Sequence, residues 1–142
     1  MSCFRSLGLA LAVALSGCSA ATGCPTGTEA VTRSLGGTHT QWCARPDGLR
    51  EGPYRMTAGR VTVYGDYRNG LKDGLWIHRE GNNLAGYIMD HGTGVEMSWF
   101  PGFWKRREQV FRRGIADGPA TEWFRSGKIK SIEQWRDGKK TG

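Results

Sequence analysis

The chain has 142 residues, with 20 Lys and Arg against 13 Asp and Glu, a formal charge of +7. That length suits one domain and excludes two well-cored ones. The basic balance suits anionic partners such as phospholipid head groups, lipopolysaccharide or acidic glycans.

In chain order, residues 1–17 read as a targeting segment rather than as fold material. Arg5 supplies a positive start. Leu7 to Leu15 is an apolar run of nine residues, the length of a signal core and too short to span a bilayer. Ser16 and Gly17 then lead to Cys18.

Leu15-Ser16-Gly17-Cys18 resembles the lipobox of bacterial lipoproteins. The resemblance implies cleavage before Cys18, lipidation of its sulfur and acylation of the new amine. Two or more acyl chains then anchor the chain to a membrane durably, at ~0.8 kcal/mol per buried CH₂. Ser19, where a retaining Asp would stand, points by the same resemblance to the outer membrane of the cell envelope, with the chain on its periplasmic or surface face. Export makes nucleic acid an unexpected partner. After cleavage, 19 of the 20 basic residues and all 13 acidic ones remain.

Residues 18–40 read as a lipidated tether. Ser19 to Gly23 is small and flexible, and Gly36-Gly37 marks a turn. Of the four cysteines, cleavage removes Cys3 and lipidation occupies Cys18, leaving Cys24 and Cys43. One disulfide in an oxidising compartment fits that count. It would close a loop of about 20 residues, worth roughly 3 kcal/mol in the chain-entropy model.

Residues 41–142 read as a repeat domain. Gly48, Gly70, Gly92 and Gly114 stand 22 residues apart, and Gly138 follows 24 later. A fixed period of this size marks a repeat array. A second glycine comes four residues on at Gly52, Gly74, Gly118 and Gly142, while the third copy is shortened to Gly94. Tyr67-Arg68-Asn69-Gly70, Phe111-Arg112-Arg113-Gly114 and Trp135-Arg136-Asp137-Gly138 share one plan, aromatic-Arg-x-Gly. Asn-Gly and Asp-Gly are strong hairpin signals because both residues accept positive φ. Apolar residues at offsets of three, as in Val61, Tyr64 and Tyr67, predict a bulge or a twist in each strand, which Gly65 would ease in one copy. The fold class is therefore all-β: an elongated antiparallel sheet of repeated hairpins. One hairpin cannot bury its face alone, so neighbours should share an aromatic spine of Tyr67, Trp76, Trp99, Phe111, Trp123 and Trp135.

Gly-x-x-x-Gly before a short aromatic strand, then a strand ending aromatic-Arg-Asn/Asp-Gly, resembles the variant MORN repeat of the YwqK-type antitoxin family. The resemblance spans roughly Trp42 to Gly142. It implies a non-enzymatic scaffold that binds a protein or an anionic lipid or glycan. Its alternative implication is an antitoxin or immunity-type protein that neutralises a toxin by direct contact.

Catalytic, metal and cofactor signals are not met. His39, His78 and His91 have no ligand spacing, and no G-x-S-x-G elbow surrounds Ser98 or Ser126. Gly138-Lys139-Lys140-Thr141 ends like a phosphate-binding loop, but Glu133 stands where its first glycine belongs. Arg68, Arg112 and Arg136 recur before the turn glycines and should form a charged ladder along one end of the sheet, as charged residues that protect β edges do.

Overall fold

A computed structural model describes residues 23–142. The targeting segment 1–17 and Cys18 lie outside the described residues. The described chain is all-β. Its strands are β1 (Glu29–Leu35), β2 (Thr38–Ala44), β3 (Arg50–Ala58), β4 (Val61–Arg68), β5 (Leu71–Glu80), β6 (Asn83–Asp90), β7 (Thr93–Phe100), β8 (Trp104–Arg112), β9 (Ile115–Trp123), β10 (Ile129–Arg136) and β11 (Lys139–Lys140). Each pairs antiparallel with the next, giving one open eleven-stranded sheet in chain order.

The sheet begins at Glu29, earlier than the boundary at 41 drawn from the glycine series. Gly37, Gly59 and Gly81 supply the reason: they too stand 22 residues apart, and they turn the chain at the opposite end of the sheet. Gly36-Gly37 is thus a hairpin turn of the array. Cys24 and Cys43 are joined by a disulfide with their Cα atoms 5.5 Å apart, which fastens the segment before β1 to β2.

The period-22 turns are held to one another. Asn69, His91, Arg113 and Asp137 each adopt positive φ, followed by a positive-φ glycine, the requirement of a type I′ turn. The N–H of the glycine then donates to the preceding turn: Gly70 to Arg50 O (2.9 Å), Gly92 to Lys72 O (2.8 Å), Gly114 to Gly92 O (2.9 Å) and Gly138 to Ala116 O (2.8 Å). Side chains complete the rail. Asn69 N–H donates to Glu51 Oε2, His91 N–H to Asp73 Oδ1 and Arg113 N–H to Thr93 Oγ1. At Gly92 a Cβ would stand 2.5 Å from Gly114 N, so a side chain there would push successive turns apart.

Strand pairing is interrupted by bulges, one of them at Gly65 between Tyr64 and Asp66. A Cβ on Gly65 would run into the Trp76 ring, so this glycine makes room for the largest buried side chain. The core is small. Trp76, Tyr87 and Met89 form its centre, and Tyr54, Val63, Tyr67, Met97, Trp99 and Phe111 pack around them. Strands β6 and β7 pair only through Met89↔Gly94 and Asp90↔Thr93. The ladder is weak at that joint, and Met97 and Trp99 of β7 come against the ring cluster of β4 to β6. The joint divides the sheet into a near half, β1–β6, and a far half, β7–β11.

Candidate functional site

Counting from each turn glycine, the repeat fixes which side chains share the front face, the one carrying Trp76. Two positions on stand Arg50, Lys72, Gly94, Ala116 and Lys140; six on stand Tyr54, Trp76, Ser98 and Ala120. Across each type I′ turn the register pairs Tyr67↔Lys72, Met89↔Gly94, Phe111↔Ala116 and Trp135↔Lys140.

In the near half the cation lies on rings. Arg50 Cζ is 4.9 Å from the Trp42 ring centre, 5.4 Å from Tyr54 and 5.3 Å from Tyr67, and its Nη1 donates to the Tyr67 hydroxyl at 3.1 Å. Lys72 Nζ sits 4.5 Å from the Trp76 ring and 5.5 Å from Tyr87, and donates to the Tyr87 hydroxyl (3.0 Å) and Glu96 Oε1 (2.8 Å). A cation over a ring face gains about 0.5–2 kcal/mol, more as water is excluded. Burial pushes the phenols of Tyr67 and Tyr87 above their ordinary range, so both stay neutral hydroxyls whose oxygens accept from the two cations.

In the far half the third and fourth copies hold Gly94 and Ala116 at the cation position and Ser98 and Ala120 at the ring position, and Lys140 restores a cation only in the last copy. A hollow of about 240 Å³ opens there, lined by Glu96, Met97, Ser98, Arg107, Gln109, Phe111, Ala116 and Trp135. Its floor is polar and internally satisfied. Arg107 Nη1 donates to Glu122 Oε1 at 2.6 Å and its Nη2 to Gln109 Oε1 at 2.9 Å. The buried Gln109 amide donates to Val110 O. Glu133 accepts from Lys140 Nζ (2.8 Å) and from Trp135 Nε1 (3.0 Å). Arg107 holds the Glu122 carboxyl below its ordinary range, and Lys140 and the Trp135 N–H do the same for Glu133.

The anticipated spine is gathered only in part. Tyr67, Trp76, Trp99 and Phe111 meet in one cluster, to which Tyr54 and Tyr87 also belong. Trp123 does not join it. Ala120 and Glu122 face the front in the register, so Trp123, one residue on, falls on the back, with Lys105 Nζ 5.2 Å from its ring. Trp135 keeps the front face but borders the hollow. Tyr87 escaped the aromatic-Arg-x-Gly signature because it lies five residues before Gly92 rather than three. Of the arginine ladder, Arg68 reaches Asp73 (3.8 Å) and Arg112 reaches Asp117 (3.4 Å), both at the solvent-exposed turn end.

Elsewhere, Asp73, Asp90 and His91 bring ligand atoms close enough to share a cation. Their atoms already serve the turn: Asp73 Oδ1 accepts the His91 N–H at 2.9 Å, and His91 Nδ1 lies 2.6 Å from Asp90. The back face carries apolar side chains of its own. Leu75 pairs with Ile88, Tyr64 with Ile77, and Arg79 with Leu84. Leu75 is 55%, Leu84 60% and Ile88 71% exposed, so an apolar strip lies open to solvent. In comparisons with known proteins, no family model, no curated protein and no solved structure matches this chain.

Proposed function

We propose that this chain is a lipid-anchored envelope protein whose MORN-like repeat sheet acts as a non-enzymatic binding scaffold. The observation that carries the reading is the open back face. A single-layer sheet covers its ring cluster on one side only, while Leu75, Leu84 and Ile88 remain uncovered on the other. An apolar strip of that kind is usually kept for a partner, because water contact costs about 25 cal/mol per Å² of apolar area. Two features support placement in the envelope. Cys18 follows the sequence expected before a lipidation site, and the Cys24–Cys43 disulfide suits an oxidising compartment. The bridge also fastens the segment before β1, at Cys24, to β2.

Palmitate labelling of producing cells, with and without globomycin, tests the anchor. Label on the wild-type chain and none on Cys18→Ala is the expected result. A Cys18→Ala chain that stays equally membrane-bound would overturn it. A photo-crosslinking residue at position 88 tests the scaffold. Capture of one recurrent envelope component is expected, lost when Leu75 and Leu84 become Ser. No adduct above that of a crosslinker at exposed Arg136 would refute the scaffold.

A further inference from the structure

We propose that the far-half hollow is a binding site for a cationic side chain, lysine or arginine, presented by a protein partner. It lies among front-face residues, apart from the back strip on which the scaffold reading rests, and the two fail separately.

The chain supplies its own template. In two copies of the repeat, the second residue after the turn glycine places a cation over aromatic rings: Arg50 on Trp42, Tyr54 and Tyr67, and Lys72 on Trp76 and Tyr87. Lys72 is capped by the Glu96 carboxylate at 2.8 Å. In the fourth copy that residue is Ala116, which still pairs with a ring across the turn, Phe111. The ring at the sixth position is also gone, with Ser98 and the buried Ala120 in its place. The vacated volume is the hollow. Its walls keep what the near-half cations use, two rings (Phe111 and Trp135) and a carboxylate (Glu96). A second carboxylate, Glu133, accepts from the Trp135 indole. At about 240 Å³ it falls below the roughly 300–1,000 Å³ of drug-sized pockets and suits one side chain.

Arg107, also in the lining, is the group that favours an anion instead. It is already committed to Glu122 and Gln109, with Glu133 3.9 Å away. An incoming anion would have to displace Glu122. An incoming cation would share Glu96, of which Lys72 takes only Oε1, while Glu133 stays with Lys140 and the Trp135 indole; it occupies the place a neighbouring repeat fills from within.

The test is an NMR titration of the isotope-labelled full chain, following the Trp135 indole and Gln109 side-chain amide signals. The probes are N-acetyl-lysine methylamide, N-acetyl-arginine methylamide, spermidine and N-acetyl-glutamate methylamide. Saturable shifts with the lysine or arginine probe, at millimolar concentration, are expected, with none from the glutamate probe. Ala116→Lys fills the hollow from inside and should abolish the titration. Should that variant fail to fold, Glu96→Gln tests the same claim, weakening the lysine probe roughly fivefold. Shifts from the glutamate probe would assign the hollow to anions, and spermidine matching the amino-acid probes tenfold more tightly would assign it to free polyamines. Unmoved signals with every probe, or an unchanged titration in Ala116→Lys, would also overturn the proposal.

Discussion

The near and far halves of the sheet obey one backbone rule and two side-chain rules. Both fold as hairpins of the same period, with turns hydrogen-bonded to turns along one end. Their front-face rows differ. Across β2 to β6 one row runs Thr40, Met56, Val63, His78, Ala85; across β7 to β10 one row runs Ser98, Arg107, Glu122, Ser131. Beside them, Trp42, Tyr54, Trp76 and Tyr87 face off against Glu96, Gln109, Ala120 and Glu133. The near half is cohesive through burial and the far half through ion pairs and amides. A repeat therefore specifies a ladder of turns, and leaves each copy free to fill its face by either means. The hollow opens beside the two copies that carry neither a ring nor a cation at those places.

That contrast predicts unequal damage from aromatic truncation. Trp76 is 1% exposed and touches the rings of Tyr54 (5.4 Å), Tyr67 (5.1 Å) and Tyr87 (6.5 Å). Trp76→Ala should cost about 3–5 kcal/mol, the usual figure for deleting a buried aromatic. Trp135→Ala, at the half-buried rim of the hollow, should cost under about 1.5 kcal/mol. Urea unfolding of the two variants measures the difference. Equal losses would mean that both halves share one core.

The disulfide ranks next. It pins the near half at its outer end, whereas the far half finishes in a two-residue strand, β11. Replacing both Cys24 and Cys43 by Ser should lower stability by about 3 kcal/mol on chain-entropy grounds. Hydrogen exchange should show the loss first in β1 and β2, with β8 and β9 protected as before. Uniform loss of protection would make the sheet one cooperative unit instead.

Much of this was legible in the sequence, and what was not has a physical cause. Gly70, Gly92 and Gly114 announced the turns because positive φ at both central residues leaves glycine almost alone in the second place. The bulge at Gly65 followed from the offset of three between apolar residues. Trp123 falls off the spine because recurrence of an aromatic along the array does not fix the strand face on which it lies. The hollow was not legible at all. It opens where two of its lining residues, Ser98 and Ala116, are small, and absence of bulk leaves no motif. Only the register shows which rings and cations those residues replace. Gly37, Gly59 and Gly81 form a second series of the same period, which carries the array back to Glu29.

Ionic strength should separate the halves further. The Arg107–Glu122 pair is about one-third exposed on each side, so its worth is that of a partly screened contact. Arg107→Ala should cost about 1 kcal/mol at low salt, and less at high salt where the wild-type pair is itself screened. Val63→Ala, in the near-half row, should show a loss that salt does not reduce. Thermal melts of both variants across a salt series decide it. A salt-independent Arg107→Ala loss would show that its stem packs more than its charge binds.

The smallest expected effect is a pH response that reaches the near half first. His78 is buried between the rings of Trp99 and Phe103, each 5.5 Å from its own, and its Nε2 has no hydrogen-bond partner among the described residues. Burial holds its pKa below the ordinary value near 6.5, with Glu80 opposing weakly. The unfolded chain therefore takes up this proton before the folded one does. Stability from this group is complete above about pH 6.5 and falls as the pH drops below it, by at most about 1.4 kcal/mol per pH unit. Asp73, Glu122 and Glu133 have lowered pKa values, and their contribution is lost only when acid reaches their own lower range, below roughly pH 4. Urea midpoints between pH 7.5 and 5 should consequently fall in the wild type and stay level in His78→Phe, which puts a ring in the same apolar site without a titrating nitrogen. Because Glu122 and Glu133 stay ionised throughout that window, a slope that survives in His78→Phe would have to come from another group, and would undo the assignment of the pH response to His78.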